Sequence, residues 1–283
     1  MIQELQPYIF YNEYRQTEPG NEDIIVCISE RRILVKEENG NISFPTYEEF
    51  SKKNDGKGLW RKPDFTYLFA IDQTQFFLCW DTGLEGYEYH TMQSLRSAAP
   101  KHLAYAGMVA MQLADWHEAH RFCGRCGHEM KHDDKERMMR CPDCGQMEYP
   151  KICPCVIVGV IHEDKILVTK YRGRKTKFYA LVAGFAEVGE TIEETVHREV
   201  FEETGVHVKN LKYYKCQPWP FSESLLFGFF CELDGSEKIT MQEDELSLAK
   251  WISRDELDVT CDDFALTNEM LWIFKENKID LLK

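Results

Sequence analysis

Three glutamates, Glu199, Glu202 and Glu203, stand at i, i+3 and i+4, the spacing that puts side chains on one face of a helix. In water such a cluster costs roughly a few tenths of a kcal/mol per pair. The cost rises near buried surface, and a divalent cation removes it. Mg²⁺ takes a few carboxylates and fills its remaining positions with water and phosphate oxygens. The pattern therefore suits chemistry at phosphorus, which needs charge neutralisation and an activated water. Taken alone, three glutamates also describe a solvated acidic face. The loop ahead of them, Gly184 to Gly189, is rich in glycine and brings backbone carbonyls within reach of an ion.

A second constellation is made of thiols. Cys123 and Cys126, then Cys141 and Cys144, form two Cys-x-x-Cys turns separated by 14 residues, one fewer than the usual four-cysteine spacing. Four thiolates suit tetrahedral zinc, and such a closed site has no open position for catalysis. Gly124 and Gly127 give the first turn backbone freedom. This zinc is structural. Cys153 and Cys155 lack a matching pair and read as core at a strand start. The total of 11 cysteines is odd. Met1–Tyr11 lacks the basic start of a secretory signal. Together these give the expectation of a reduced, cytoplasmic chain.

The elements that must position these groups can be read locally. Thr191 and Glu194 form a Thr-x-x-Glu capping box, and Gly205 suits the left-handed residue that ends a helix, so a helix is expected over Ile192–Thr204. Ile192, Val196 and Val200 give it an apolar stripe. Cys155–Ile161 and Lys165–Tyr171 read as a hairpin joined by His162–Asp164. Helices are expected over Lys101–Arg121 and Leu266–Lys278. Before residue 100, short apolar runs at Ile24–Ile28, Tyr67–Ile71 and Gln75–Trp80 alternate with polar stretches such as Lys52–Lys57, which indicates a small, mostly β region. The division expected is 1–118 for the N-terminal domain with its connecting helix, 119–150 for the zinc ribbon and 151–283 for an α+β catalytic domain.

The net charge of −14 argues against a protein that coats nucleic acid, and no apolar run is long enough to span a membrane. An anionic substrate must find its positive charge in metal ions and local basic residues. Lys170–Lys177 is such a basic stretch; it either steers phosphates or is a solvated hairpin loop. After the glutamates comes Gln217-Pro218-Trp219-Pro220-Phe221-Ser222-Glu223-Ser224. Its prolines stiffen the chain, and its aromatics either enclose a flat heteroaromatic ring or serve the core.

Gly184, Glu190, Arg198-Glu199-Val200, Glu202-Glu203 and Gly205-Val206, at these separations, resemble the Nudix box at every defined position. The resemblance implies an α/β/α sandwich and metal-dependent cleavage of a nucleoside diphosphate linked to a second group, with Mg²⁺ or Mn²⁺. It implies Glu199 and Glu203 as metal ligands, and Glu202 as a further ligand or an orienting group. Glu203 is also the residue that activates water; Arg198 and Glu190 are positioning partners. A backbone metal contact from Ala183 is implied, and a distant acidic ligand, for which Glu245 is chosen over Glu243 and Asp244.

Gln217–Ser224 further resembles the SQPWPFPxS array of NADH pyrophosphatases within that family, with Cys216 in place of the first Ser and Ser222 in place of the third Pro. The ribbon just before the catalytic domain, and Tyr149-Pro150 after its last cysteine, fit the same pattern, which covers about residues 101–283. The resemblance implies hydrolysis of NADH to NMNH and AMP, acceptance of NAD⁺, removal of NAD caps from RNA 5′ ends, and a homodimer. It implies substrate contacts along Gln217–Ser224, at Tyr149 and at Thr267. Two alternatives stand beside this reading. One is a Nudix hydrolase of another nucleoside diphosphate derivative such as ADP-ribose, against which the array argues. The other is a catalytically dead, RNA-binding zinc-ribbon and Nudix module, against which the intact glutamates and the acidic charge argue.

Overall fold

The computed structural model describes residues 1–52, 65–80, 83–173 and 178–279. Most of the stretch Lys52–Lys57, and Arg174–Lys177 of the basic stretch, lie outside the described residues. The chain forms two compact units, Gln3–Lys151 and Ile152–Lys283, with Met1 and Ile2 belonging to the second.

In the first unit the apolar runs become β1 (Phe10–Tyr11), β2 (Ile24–Ser29), β3 (Arg32–Glu38), β4 (Asn41–Ser43), β5 (Thr66–Ile71), β6 (Thr74–Trp80) and β7 (Glu88–Thr91), with α1 (Tyr47–Lys52) and α2 (Lys101–Ala119). Among the described residues these strands make one sheet in the order β1-β5-β6-β2-β3-β4, with β7 paired to β3. The turn between β2 and β3 places Glu30 and Arg31 at φ 48° and 57°, the left-handed pair that matches the twist of a hairpin. Helix α2 stops at Ala119 rather than Arg121. His120 leaves helical geometry at φ −115°, and its ring Nδ1 bonds the Trp116 carbonyl at 2.8 Å. Three two-residue strands, β8 (Lys131–His132), β9 (Met139–Arg140) and β10 (Met147–Glu148), follow as a small sheet in the order β10-β9-β8.

His117 on α2 is buried, and its ring lies 4.9 Å from that of His132. Burial pushes its pKa down to about 3, with the neighbouring His132 adding to the fall, so it is neutral in the folded chain. Unfolded, it titrates near ~6.5. The folded value is the lower one, so the stability it contributes is present above about 6.5 and is lost as pH falls toward the folded value. Melting temperatures measured from pH 7.5 to 5.5 are expected to fall with acid, and His117→Gln is expected to flatten part of that slope. An unchanged slope would remove the buried neutral imidazole as its cause.

In the second unit the strands are β11 (Cys153–His162), β12 (Lys165–Tyr171), β13 (Val182–Phe185), β14 (His207–Trp219), β15 (Ser224–Asp234) and β16 (Leu246–Ser253). The sheet runs β14-β15-β11-β12-β16, with β13 paired to β11 and β15 parallel to β11. Two helices cover its faces, α3 (Ile192–Thr204) and α4 (Leu266–Lys275). Alternation along β11 feeds both layers: Val156, Val158 and Val160 pack with Val196 and Val200 of α3. Cys155 and Ile157 pack with Leu266, Met270, Leu271 and Phe274 of α4. The result is the α/β/α sandwich that the resemblance implied.

Helix α3 has the expected ends. Thr191 accepts from the Glu194 amide, Glu194 reaches back to the Thr191 amide at 2.7 Å, and Gly205 is left-handed at φ 71°. Helix α4 ends at Lys275, three residues early, because Asn277 turns left-handed at φ 53° and the Lys278 amide closes back on the Ile273 carbonyl at 3.0 Å.

Candidate active site and zinc site

Strand β13 runs beside the start of β11, with Gly184 opposite Val156 and Phe185 opposite Cys155. Helix α3 packs over this pair, and the Glu199 carboxyl group rests directly on Gly184. A Cβ built on Gly184 would lie 2.0 Å from the Glu199 carboxyl carbon. Gly184→Ala must therefore displace either the carboxylate or a strand whose backbone is paired on β11. The expected result is a divalent-cation affinity or turnover reduced roughly 10–100-fold with the fold retained, read from rate against Mn²⁺ concentration alongside a melting curve. Wild-type metal dependence in that variant would contradict the placement of Glu199.

Arg198 is the electrostatic hub. It grips Glu190 with two nitrogens, Nε at 2.5 Å and Nη2 at 2.8 Å. Its Nη1 reaches Glu199 at 2.7 Å and Glu202 at 2.9 Å, and Nη2 also donates to the Phe185 carbonyl at 2.8 Å. The guanidinium holds the Glu190 carboxyl down at about 2, helped by the Glu187 amide. One side chain thus ties the loop, β13 and two of the three glutamates together, and its planar fork suits that task better than a lysine.

Glu203 is different. It is 1% exposed, far more buried than Glu199 or Glu202. Its Oε1 accepts from the Tyr171 hydroxyl at 3.3 Å, and Oε2 has no hydrogen-bond partner. Burial pushes its pKa up to about 8, with the charge of Glu199 adding to the rise. The same Tyr171 hydroxyl reaches the Ala183 carbonyl at 3.1 Å. A buried carboxylate with an orphaned oxygen, a second carboxylate at Glu199 and a backbone carbonyl at Ala183 form a set of hard oxygen donors, of which Glu199 is paired with Arg198 and Glu203 Oε2 has no partner. That donor set fits Mg²⁺ or Mn²⁺. Glu245 is exposed, and its charge raises the pKa of both Glu199 and Glu203. Its backbone is held by the Arg172 amide at 2.7 Å. Glu199 and Glu245 lie near enough to Glu203 for their charges to act on it, although the three carboxylates do not form one of the close ligand clusters of the described residues, and Glu202 is exposed at the edge on Arg198. Tyr171 was not foreseen; as the last residue of an apolar run it reads as core.

The aromatic array ends β14 and turns through Pro220–Ser222 into β15. Trp219 and Phe221 lie 5.0 Å apart and half buried, and Phe264 completes the group at 5.6 Å from Trp219. Gln217 is fully buried, and its amide is committed to backbone. Nε2 donates to the Phe264 carbonyl at 2.8 Å, and Oε1 accepts from the Leu266 amide at 2.8 Å. It fastens the array to the start of α4, where Thr267 is half buried. Pro218 is half buried and Pro220 buried. Glu223 is left-handed at φ 55°, and its carbonyl accepts from Cys153 at 2.7 Å. Ser222 is exposed and Ser224 buried, their hydroxyls 2.9 Å apart. Tyr149, in the other unit, is exposed and donates to Glu136 at 2.6 Å.

The four ribbon cysteines bring their sulfurs within 4.8 Å of one another. Cys123 and Cys144 are 3.5 Å apart, and Cys126 and Cys141 3.4 Å. A tetrahedron with Zn–S near 2.3 Å asks for about 3.8 Å, so the set fits zinc. The two turns are built alike. The Gly127 amide closes on the Cys123 carbonyl at 2.8 Å and the Gly145 amide on the Cys141 carbonyl at 3.1 Å, with φ of 79° and 74° at the two glycines. The required left-handed residues are thus Gly127 and Gly145. Gly124 is not among the left-handed glycines.

Residues 153–270 match the NUDIX domain, and residues 118–149 match the NADH pyrophosphatase zinc ribbon domain. The NAD-capped RNA hydrolase NudC of Salmonella typhimurium is 41% identical over 170 residues, 59% of this chain and 66% of that protein. The NAD-capped RNA hydrolase NudC of Escherichia coli is 44% identical over 147 residues, 52% of this chain and 57% of that protein. The chain thus spans 66% and 57% of the length of these two curated relatives, less than two thirds of either. Among solved structures, a NUDIX hydrolase from Nitrosomonas europaea is similar with a TM-score of 0.46 and 21% identity over 55% of this chain and 91% of that one. The chain thus carries a match to the Nudix domain directly behind a match to the zinc ribbon domain of NADH pyrophosphatases.

Proposed function

We propose that this chain hydrolyses the diphosphate linkage of NADH and NAD⁺, giving AMP with NMNH or NMN, and that it removes NAD caps from RNA 5′ ends. The observation that carries the reading is the register of β11. Cys153 pairs with Ser224, the last residue of the aromatic array, and Cys155 pairs with Phe185 beside Gly184. Two residues along a strand are roughly 7 Å. The aromatic group and the glutamate cradle therefore open at the same end of the same sheet, the arrangement a ligand with flat rings and a central diphosphate requires.

When bound, Mg²⁺ or Mn²⁺, held by Glu199, Glu203, the Ala183 carbonyl and Glu245, supplies charge neutralisation at the phosphates. The chain's own groups do the rest. Glu203 accepts the proton of the attacking water at Oε2, the oxygen with no other partner. The new oxygen–phosphorus bond forms as the anhydride oxygen leaves with the second phosphate. Arg198 keeps Glu199 and Glu202 in place. Trp219 and Phe221 enclose a ring of the substrate, Gln217 positions them from behind, and Thr267 contributes a further contact.

We infer a homodimer as well. Phe178, Phe185 and Val188, exposed at 79%, 51% and 104%, are supporting apolar surface. All 11 cysteines are free of disulfides, which supports a reducing compartment such as the cytoplasm. No helix of the described residues is long and apolar enough to cross a membrane.

The test is product chromatography after incubation with NADH, NAD⁺, ADP-ribose and NAD-capped RNA under Mg²⁺ and Mn²⁺ in turn. NMNH plus AMP from NADH is expected. Cleavage of ADP-ribose without cleavage of NADH would overturn the substrate. RNA binding without turnover of any compound would overturn the enzyme.

A further inference from the structure

Strand β12 loses its register between Lys170 and Tyr171, where its pairing with β16 shifts. The residue left over lies on β16, at Ser247, and Tyr171 ends β12. The Tyr171 hydroxyl touches two oxygens from separate parts of the fold: the Ala183 carbonyl on β13 at 3.1 Å and Glu203 Oε1 on α3 at 3.3 Å. The next residue continues the pattern. The Arg172 amide donates to the Glu245 carbonyl at 2.7 Å, and its Nε donates to the Glu243 carbonyl at 2.7 Å. Two consecutive residues at one strand end therefore hold the three segments that carry the donor set. The acceptor geometry also matters. A carbonyl has two lone pairs and a carboxylate oxygen has two, so a hydroxyl on one of them leaves another for an ion.

We infer that Tyr171 is a positioning residue for the divalent cation: its hydroxyl holds the Ala183 carbonyl and the Glu203 carboxylate at a fixed spacing, so that the ion meets preformed oxygens. The inference rests on the metal-dependent reading above and goes beyond it to a side chain outside the Nudix box. Groups that orient metal ligands change affinity or activity by roughly 10–100-fold when removed. Tyr171→Phe keeps the ring and its packing and deletes the donor. It loses affinity for the metal, while its KM for the dinucleotide at saturating metal stays unchanged.

The experiment titrates Mn²⁺ into the zinc-loaded full chain, followed by electron paramagnetic resonance, for wild type, Tyr171→Phe and Glu203→Gln. The expected result is an Mn²⁺ dissociation constant at least about tenfold higher in Tyr171→Phe, with the melting temperature in Mn²⁺-free buffer retained. Tyr171→Met, which also lacks the donor, replaces the Phe variant if that variant does not fold. Unchanged Mn²⁺ affinity, or a lowered melting temperature as the only effect, would overturn the inference and leave a packing role. Tighter binding would overturn it too, by placing the hydroxyl where the ion belongs. If wild type and Glu203→Gln bind Mn²⁺ alike, the metal site itself is wrong, an outcome distinguishable from failure of Tyr171 alone.

Discussion

Glu203→Gln is expected to lower turnover of NADH by roughly 10²–10⁴-fold while making the metal-free chain harder to melt. Both effects come from the same burial. The side chain is 1% exposed, Oε2 has no partner, and burial holds the carboxyl up to about 8. The folded value lies above the unfolded value of about 4.3. Whatever stability the protonated carboxyl allows is therefore complete below that unfolded value and is lost as pH rises through about 8. A glutamine has the same shape without that titration. The melting temperature of Glu203→Gln in Mg²⁺-free buffer should thus exceed that of wild type by a margin that widens from pH 6 to 8.5. Saturating Mg²⁺ should narrow the margin by stabilising wild type alone. Turnover near the wild-type rate would eliminate Glu203 as the proton acceptor, and a margin independent of pH would eliminate its buried charge as the cause of strain.

The second large effect is loss of zinc. Removing it, or making Cys141→Ala, is expected to unfold residues 121–149. Structural zinc binding is worth roughly 10–16 kcal/mol in small zinc-dependent modules, against a few contacts to the rest of the unit, such as Tyr14 on the Asp133 carbonyl and Arg137 on the Leu68 carbonyl. Its three strands have two residues each. Its core consists of Met130, Met139, Cys123 and Cys141 packed with Trp116 of α2, and two of those five are themselves ligands. A metal-sensitive dye should count one zinc per four-cysteine set on thiol modification. Amide exchange in 121–149 should then reach the unprotected limit, and Trp116 fluorescence should change as its packing is lost. Protected amides in the zinc-free chain would show that the ribbon stands on packing alone.

What the sequence made legible was local. Both ends of α3 could be read because a capping box spans four residues and a left-handed terminator is a single glycine. The two cysteine turns could be read for the same reason. The hairpin of β11 and β12 was visible because its two apolar runs lie side by side in the chain. Long-range contacts were hidden. Tyr171 meets Glu203 across 32 residues, and nothing in Lys165–Tyr171 marks its last member as other than core. Phe264 joins Trp219 from a segment without motif. Gln217, expected along with its neighbours to face a substrate, has both ends of its amide on the Phe264 and Leu266 backbone. A buried glutamine needs partners, and which partners it finds depends on where α4 begins, a fact of tertiary packing. The Arg198 grip on Glu190 belongs to both kinds: the eight-residue spacing was visible, but the bidentate geometry was not.

Strand β11 has one more consequence, for how such a chain can diversify. It is the common datum for two devices that otherwise share nothing: the glutamate cradle registers on Cys155–Val158 through β13, and the aromatic turn registers on Cys153 through β15. On the proposed function, substitutions at Trp219 or Phe221 would retune which ring is preferred while the glutamate cradle stays untouched. A deletion or insertion within 153–158 does the opposite: a slip of one residue turns every side chain to the other face and misaligns both devices at once. Exchange of side chains is thus open to drift here, and change of length is closed to it.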